Sequence, residues 1–196
     1  MTAKAKGKAP TIGRQGWLDA ARAILIRDGI AGVKVDRVAR RLKVTRGGFY
    51  WFFDSHRQLL DALLADWERR NTEGFKSVVR ATGLAACTGR NGMAEFQALV
   101  AVWLDEKTYS PAWDAAVRDW ARVSGKVANA VRRTDDIRIE VLRQVFIDMG
   151  YEGQEAFVRA RICYFHQVGY YALGVRESRQ ERLRLMPLYT RVLTGR

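Results

Sequence analysis

Cysteine, proline and histidine are all scarce in these 196 residues, with two, three and two of each, and each scarcity removes a class of protein. Cys87 and Cys163 lie far apart without metal-ligand spacing, so the chain is neither a disulfide scaffold nor a zinc ribbon, and the pair suits a reducing compartment. Cys163 sits in an apolar helical run and reads as a buried thiol. Two separated histidines, no paired carboxylates and no glycine-rich phosphate loop leave nothing to build an enzyme's nucleophile and base, a metal centre or a cofactor site. Few prolines, no strand-like alternation and no apolar run of membrane length predict an all-α protein without a membrane span. The first fourteen residues, MTAKAKGKAPTIGR, carry no apolar segment and do not read as a secretory signal, so a cytoplasmic location is expected.

Cationic charge is plentiful and uneven. Residues 1–53 hold twelve Lys and Arg against Asp19, Asp28 and Asp36, which places +9 of the net +13 in the first quarter of the chain. A basic segment on a nearly balanced remainder is what neutralising a phosphate backbone predicts. The leader, residues 1–13, is expected to be a disordered basic arm that either enters a minor groove or adds nonspecific attraction.

The densest information lies in Val33 to Phe53, VKVDRVARRLKVTRGGFYWFF. Val35, Val38, Ala39 and Leu42 fall at i, i+3, i+4 and i+7, giving one apolar helix face, with Arg37, Arg40 and Arg41 elsewhere. Lys43 and Val44 form a tight turn, Thr45 is placed to cap with its hydroxyl, and a second short helix is expected from Arg46 to about Phe52. Phe49 and Phe53 share its inward face, which leaves Arg46, Gly47, Gly48, Tyr50 and Trp51 outward. Two glycines cost such a helix stability but leave its backbone unobstructed. A short helix, a tight turn and a second short helix make a helix-turn-helix, the arrangement that puts side chains into a major groove.

From about Gln15 to Glu68 the chain resembles the TetR family of transcriptional regulators. The resemblance rests on Asp28-Gly29, Val38-Ala39, Lys43-Val44, Thr45-Arg46-Gly47 and Phe49-Tyr50-Trp51-Phe52-Phe53, in order and at the family's spacing. The chain departs from it at Lys34 (usually a Ser/Thr cap), Lys43 (usually glycine), Phe52 (usually a polar aromatic) and His56 (often lysine). The resemblance implies a helix-turn-helix domain at residues 14–54, joined to an effector-binding and dimerisation domain at 55–196. It also implies a lever role for the helix that begins at His56. Thr45, Arg46, Gly47 and Gly48 are the candidates for base edges. Lys34, Lys43, Tyr50, Trp51 and His56 are the candidates for the backbone, His56 reading equally well as a plain solvent-exposed position.

Capping signals and periodicity predict the remaining helices. They run from Arg14 to Asp28, His56 to about Arg80, Met93 to about Lys107, from Pro111 after a Ser110 cap, Arg133 to Met149, Gln154 to about Arg176, and Ser178 to Leu193. In the Arg133–Met149 helix Ile137, Val141, Val145 and Ile147 are read as the apolar side. The Gln154 helix shows two apolar stripes, Phe157, Tyr164, Val168 and Tyr171 on one and Ile162, Phe165, Gly169 and Leu173 on the other. A helix striped twice must be covered twice, so this helix and the last one are the candidate homodimer interface, although internal packing also explains the stripes.

Trp103, Trp113, Trp120, Phe146, Tyr164 and Tyr171 are candidates to line a pocket for a small organic effector, and plain core packing is the competing account of each. The expected function is a regulator, a repressor by default, that binds double-stranded operator DNA as a dimer and is released by an effector. A nonspecific or architectural DNA-binding protein is the alternative.

Overall fold

The computed structural model describes residues 12–85, 91–106 and 109–196. Residues 1–11 of the leader and the 86–90 stretch of the connection before the Met93 helix, Cys87 included, therefore lie outside the described residues. Among the described residues there is no strand. The helices are α1 (Arg14–Asp28), α2 (Val35–Leu42), α3 (His56–Ala85), α4 (Gly92–Asp105), α5 (Pro111–Ala121), α6 (Gly125–Asp148), α7 (Gly153–Ala172) and α8 (Arg179–Thr194), with 3-10 turns at Ile30–Gly32 and Arg46–Trp51. Two compact units emerge, a head ending at Ala65 and a body beginning at Asp66.

In the head, α1 buries Trp17, Leu18, Ala20, Ala21, Ile24 and Leu25 and stops at Gly29, whose φ of 68° with ψ of −178° is a conformation that glycine adopts without strain. α2 buries Val35, Val38 and Ala39 and ends at Lys43, which takes the left-handed helical region at φ 56° and ψ 39°. There the amides of Lys43 and Val44 donate to the carbonyls of Arg40 and Ala39 at 3.1 and 3.0 Å, closing the helix end. Two expectations need correction here. The segment after the turn is a 3-10 helix rather than an α-helix, and no side-chain bond from Thr45 caps it. The Thr45 carbonyl instead accepts from the Gly48 amide at 3.1 Å, the tighter winding that spares a segment of two glycines and three aromatics a full α-helical register. α3 begins as expected, with Ser55 Oγ accepting from the Gln58 amide at 3.2 Å.

The body packs around Phe96, Leu99 and Trp103 of α4, Leu142, Val145 and Phe146 of α6, and Ala156, Ala160 and Cys163 of α7. Asn91, Ser110, Ser124 and Ser178 each cap the following helix with a side-chain oxygen. Gly92 sits where an added Cβ would come within 2.5 Å of the Met149 amide and 2.6 Å of the Val145 carbonyl, so α4 starts in direct backbone contact with the end of α6. The Tyr151 hydroxyl donates to the Thr194 carbonyl, which ties the end of α8 to the loop before α7. α6 starts eight residues before the expected Arg133, and its buried stripe is Val127, Val131, Thr134, Arg138, Leu142 and Val145. Of the four residues read as its apolar side, Val145 alone is fully buried. A charged residue in mid-stripe displaced the apparent apolar face.

Candidate DNA interface

Aromatic packing fixes the Arg46–Trp51 segment. Phe49 is fully buried, its ring edge-on to Trp17 at 5.5 Å and stacked on Phe53 at 5.3 Å, with the Arg14 guanidinium over Phe53 at 4.9 Å. An anchored Phe49 turns its neighbours outward: Thr45, Arg46, Gly47, Tyr50 and Trp51 are exposed, Trp51 to 63%. Gly48 differs from Gly47, because it is half-buried and its missing Cβ would face Trp17 at 3.8 Å. Lys34 and Lys43 flank α2 and are exposed.

Arg46 is held lightly by its own surroundings. Its guanidinium lies 3.4 Å from the Tyr50 hydroxyl and 3.5 Å from the Asp36 carboxylate, all in solvent. These contacts raise its pKa further, the Tyr50 hydrogen bond first and the Asp36 charge second. His56 Nε2 lies 2.6 Å from the Val33 carbonyl, an acceptor only, so this nitrogen carries the proton and ties the start of α3 to the residues before α2.

A second basic group, to which the sequence reading gives no contact, lies on the same head. Arg27, Arg37, Arg40 and Arg41 surround a shallow basin floored by Ile24. Asp28 bridges Arg27 at 2.9 Å and Arg37 at 2.6 Å, and its carboxyl is held below the usual range chiefly by the Arg27 hydrogen bond. Arg40 and Arg41 are exposed and have no acidic partner among the described residues. The i, i+3, i+4 spacing of Arg37, Arg40 and Arg41 is the signal that places them on one side of α2.

This geometry has relatives. The pattern of bacterial regulatory proteins of the tetR family matches residues 18–63, from α1 into α3. The head is similar to the N-terminal domain of that family. Over 52 residues it is 38% identical to two proteins of Pseudomonas putida, the HTH-type transcriptional regulator SrpR and the uncharacterized HTH-type transcriptional regulator TtgW. Those matches take in 26% of this chain but only 24% and 39% of the two relatives, so they speak for the head. For the fold as a whole, the fatty acid degradation regulator FadR of Bacillus halodurans superposes with a TM-score of 0.66 at 13% identity, over 95% of this chain and 98% of that one. The ketosteroid transcriptional regulator KstR2 of Mycobacterium tuberculosis gives 0.62 at 16%, over 95% and 96%.

The body disperses the six aromatic residues grouped by the sequence reading. Trp113, Trp120 and Phe146 are buried in packing. Tyr164 belongs to a polar network at the centre of the body. Its hydroxyl donates to Asp135 at 2.6 Å and receives Arg118 at 3.1 Å and Arg138 at 3.3 Å. Arg118 also bonds Asp114 at 2.8 Å and Asp135 at 2.7 Å. Arg138, 3% exposed, reaches Asp114 at 3.3 Å, the Asn71 carbonyl at 3.3 Å and the Asn71 side chain. Two guanidiniums against two carboxylates balance the charge, which is what lets it stay inside. Burial pushes the Tyr164 hydroxyl up to about 12, so it remains a protonated donor at neutral pH.

Trp103 alone of the six lines the cavity of about 80 Å³ between α4, α7 and α8. Tyr171 stands close by, its hydroxyl 2.9 Å from the Trp103 carbonyl and 3.2 Å from Arg182. His166 lines the same cavity beside Gln167 and Tyr170, with its ring 5.0 Å from that of Tyr189.

Proposed function

We propose that this protein is a cytoplasmic transcriptional repressor that binds a pseudopalindromic operator as a homodimer and is released by a small organic effector. The observation that carries the reading is the outward row Thr45, Arg46, Gly47, Tyr50 and Trp51, held on a buried Phe49 and bordered by the exposed cations Lys34, Lys43, Arg40 and Arg41. An exposed row of this kind beside a basic rim combines base-edge reach with phosphate contact. Arg46 reads guanine, and the lysines and arginines around it position the head on the backbone.

Dimerisation is supported by the outer face of α7 and α8. Phe157, Ile162, Phe165, Leu173, Leu188 and Val192 are exposed in the single chain, and no atom lies within 4 Å of the Cβ position of Gly169. An apolar stripe along two adjacent helices is self-complementary across a twofold axis, and pairing with a second copy removes it from water. A symmetric pair then carries two reading segments to half-sites about one helical turn, roughly 34 Å, apart. An effector in the body shifts the population between dimer geometries and loosens this match.

Selection of bound duplexes from a random library, followed by titration against scrambled DNA at physiological salt, tests the proposal. The expected outcome is an inverted repeat favoured on the order of a thousandfold. Arg46→Ala relaxes preference at one base pair per half-site by about 1 to 3 kcal/mol. An equal loss on every sequence reassigns Arg46 to the backbone. Failure to enrich any motif favours a nonspecific DNA-binding protein instead.

A further inference from the structure

Resting on the reading of the body as an effector domain, we propose that the α4, α7 and α8 cavity takes the uncharged, carbonyl-bearing end of an organic effector, with Gln167 supplying the hydrogen bond. Phe96, Trp103 and Met186 make its wall apolar, and Gln167, Glu177 and Arg182 contribute its polar side. Its volume of about 80 Å³ is roughly half that of a dry cavity of about 150 Å³ that admits six-carbon benzene, so it encloses an end of about three heavy atoms and leaves the rest of a ligand outside.

Three observations select the ligand's polarity. The Gln167 Nε2 is buried and has no hydrogen-bond acceptor, a deficit that native interiors rarely keep. The terminal amide turns about a soft torsion, so a ligand carbonyl at this wall receives the unused N–H. Arg182 does not serve as an anion clamp, because Glu106 at 2.8 Å, the Trp103 carbonyl at 2.9 Å and Tyr171 at 3.2 Å already engage it. Glu177 has the opposite character, since its carboxylate receives only the Tyr170 hydroxyl at 3.1 Å and pairs with no cation among the described residues. His166 does not offset that charge, because burial lowers its pKa and favours the neutral ring. With the Arg182 charge matched by Glu106, Glu177 leaves this side with one negative charge in excess. A ligand carboxylate meets repulsion there, and a neutral carbonyl meets a donor.

The test is an NMR titration of the full chain with cyclopentanone, cyclopentane and butyrate, following the Trp103 indole and the Met186 methyl. Cyclopentanone is expected to bind roughly fivefold more tightly than cyclopentane, the worth of one buried hydrogen bond. Butyrate is expected to bind more weakly than either. Gln167→Leu should erase the advantage of cyclopentanone while leaving cyclopentane unchanged, and Glu177→Gln should improve butyrate selectively. Equal binding of cyclopentane and cyclopentanone, equal binding of butyrate and cyclopentanone, or no response at either reporter overturns the proposal. Adding cyclopentanone to the operator complex separates the two readings. Binding without DNA release supports the cavity assignment and counts against effector release, while intact operator selection with no cavity binding overturns this assignment alone.

Discussion

From Trp17 to Leu64 every buried side chain of the head is apolar, whereas the seven buried polar or charged side chains of the described residues, from Asp66 to Thr194, all belong to the body. The head rests on burial and ring stacking and sends its cations to the surface. The body places Arg138, Asp114 and Tyr164 at its centre and satisfies them across α3, α5, α6 and α7. Apolar packing tolerates repacking, but a buried polar network closes only when every partner is in place. The head is thereby built for an unchanging shape, and the body's stability depends on one arrangement of four helices.

Removing charge from the body gives the largest contrast. Arg138→Ala leaves Asp114 short of a partner and should cost about 3 to 5 kcal/mol in urea unfolding. Arg138→Met combined with Asp114→Asn should recover a large part, because it removes both charges. A loss below about 1 kcal/mol for Arg138→Ala would mean that the network contributes little. Gly92→Ala drives a methyl into the backbone of α6 and should cost about 1 to 3 kcal/mol, read by the same unfolding. The head offers a change of opposite sign: Lys43→Gly relieves a left-handed lysine and should raise stability by about 1 kcal/mol, measured as a higher thermal midpoint.

The smallest expected effect is on pH. His166 has its pKa lowered below the ordinary 6.5, chiefly by burial and against the pull of Glu177, so the unfolded chain takes up the proton first. Its contribution is complete above about pH 6.5 and is lost as pH falls through the folded value. The thermal midpoint should decline over that interval, and His166→Gln should flatten the decline. An unaltered profile in that variant would place the acid sensitivity elsewhere.

The same contrast explains what can be read from the residues alone. Caps and periodicity agree on the observed bounds of α1 and on Ser110-Pro111 as the start of α5. They locate the helical segment after the turn but give it the wrong winding, since side-chain pattern does not distinguish a 3-10 turn from one and a half turns of α-helix. They place α6 in the wrong register because the five residues before Ile137 are polar and Arg138 occupies a buried position. Arg138 is inside only because Asp114, Asn71 and Tyr164, distant in sequence, converge on it. The α4, α7 and α8 cavity is equally hidden, since periodicity marks which residues face inward but not where packing stops short. Grouping aromatic residues by type gathers six that the fold distributes among core, network and cavity wall.

Asp36 gives the reading segment a property of its own. At 3.5 Å from Arg46 it acts as a tethered counterion. On the proposed reading, moving Arg46 onto a guanine edge breaks this ion pair, so the contact gains less than one from an unpaired arginine would. Competition from the carboxylate also persists at every site, whereas a guanine edge compensates for it only where the base is correct. A surface acid that weakens all DNA contacts equally in absolute terms therefore suppresses the wrong ones to a greater degree in occupancy, and it does so without touching the DNA.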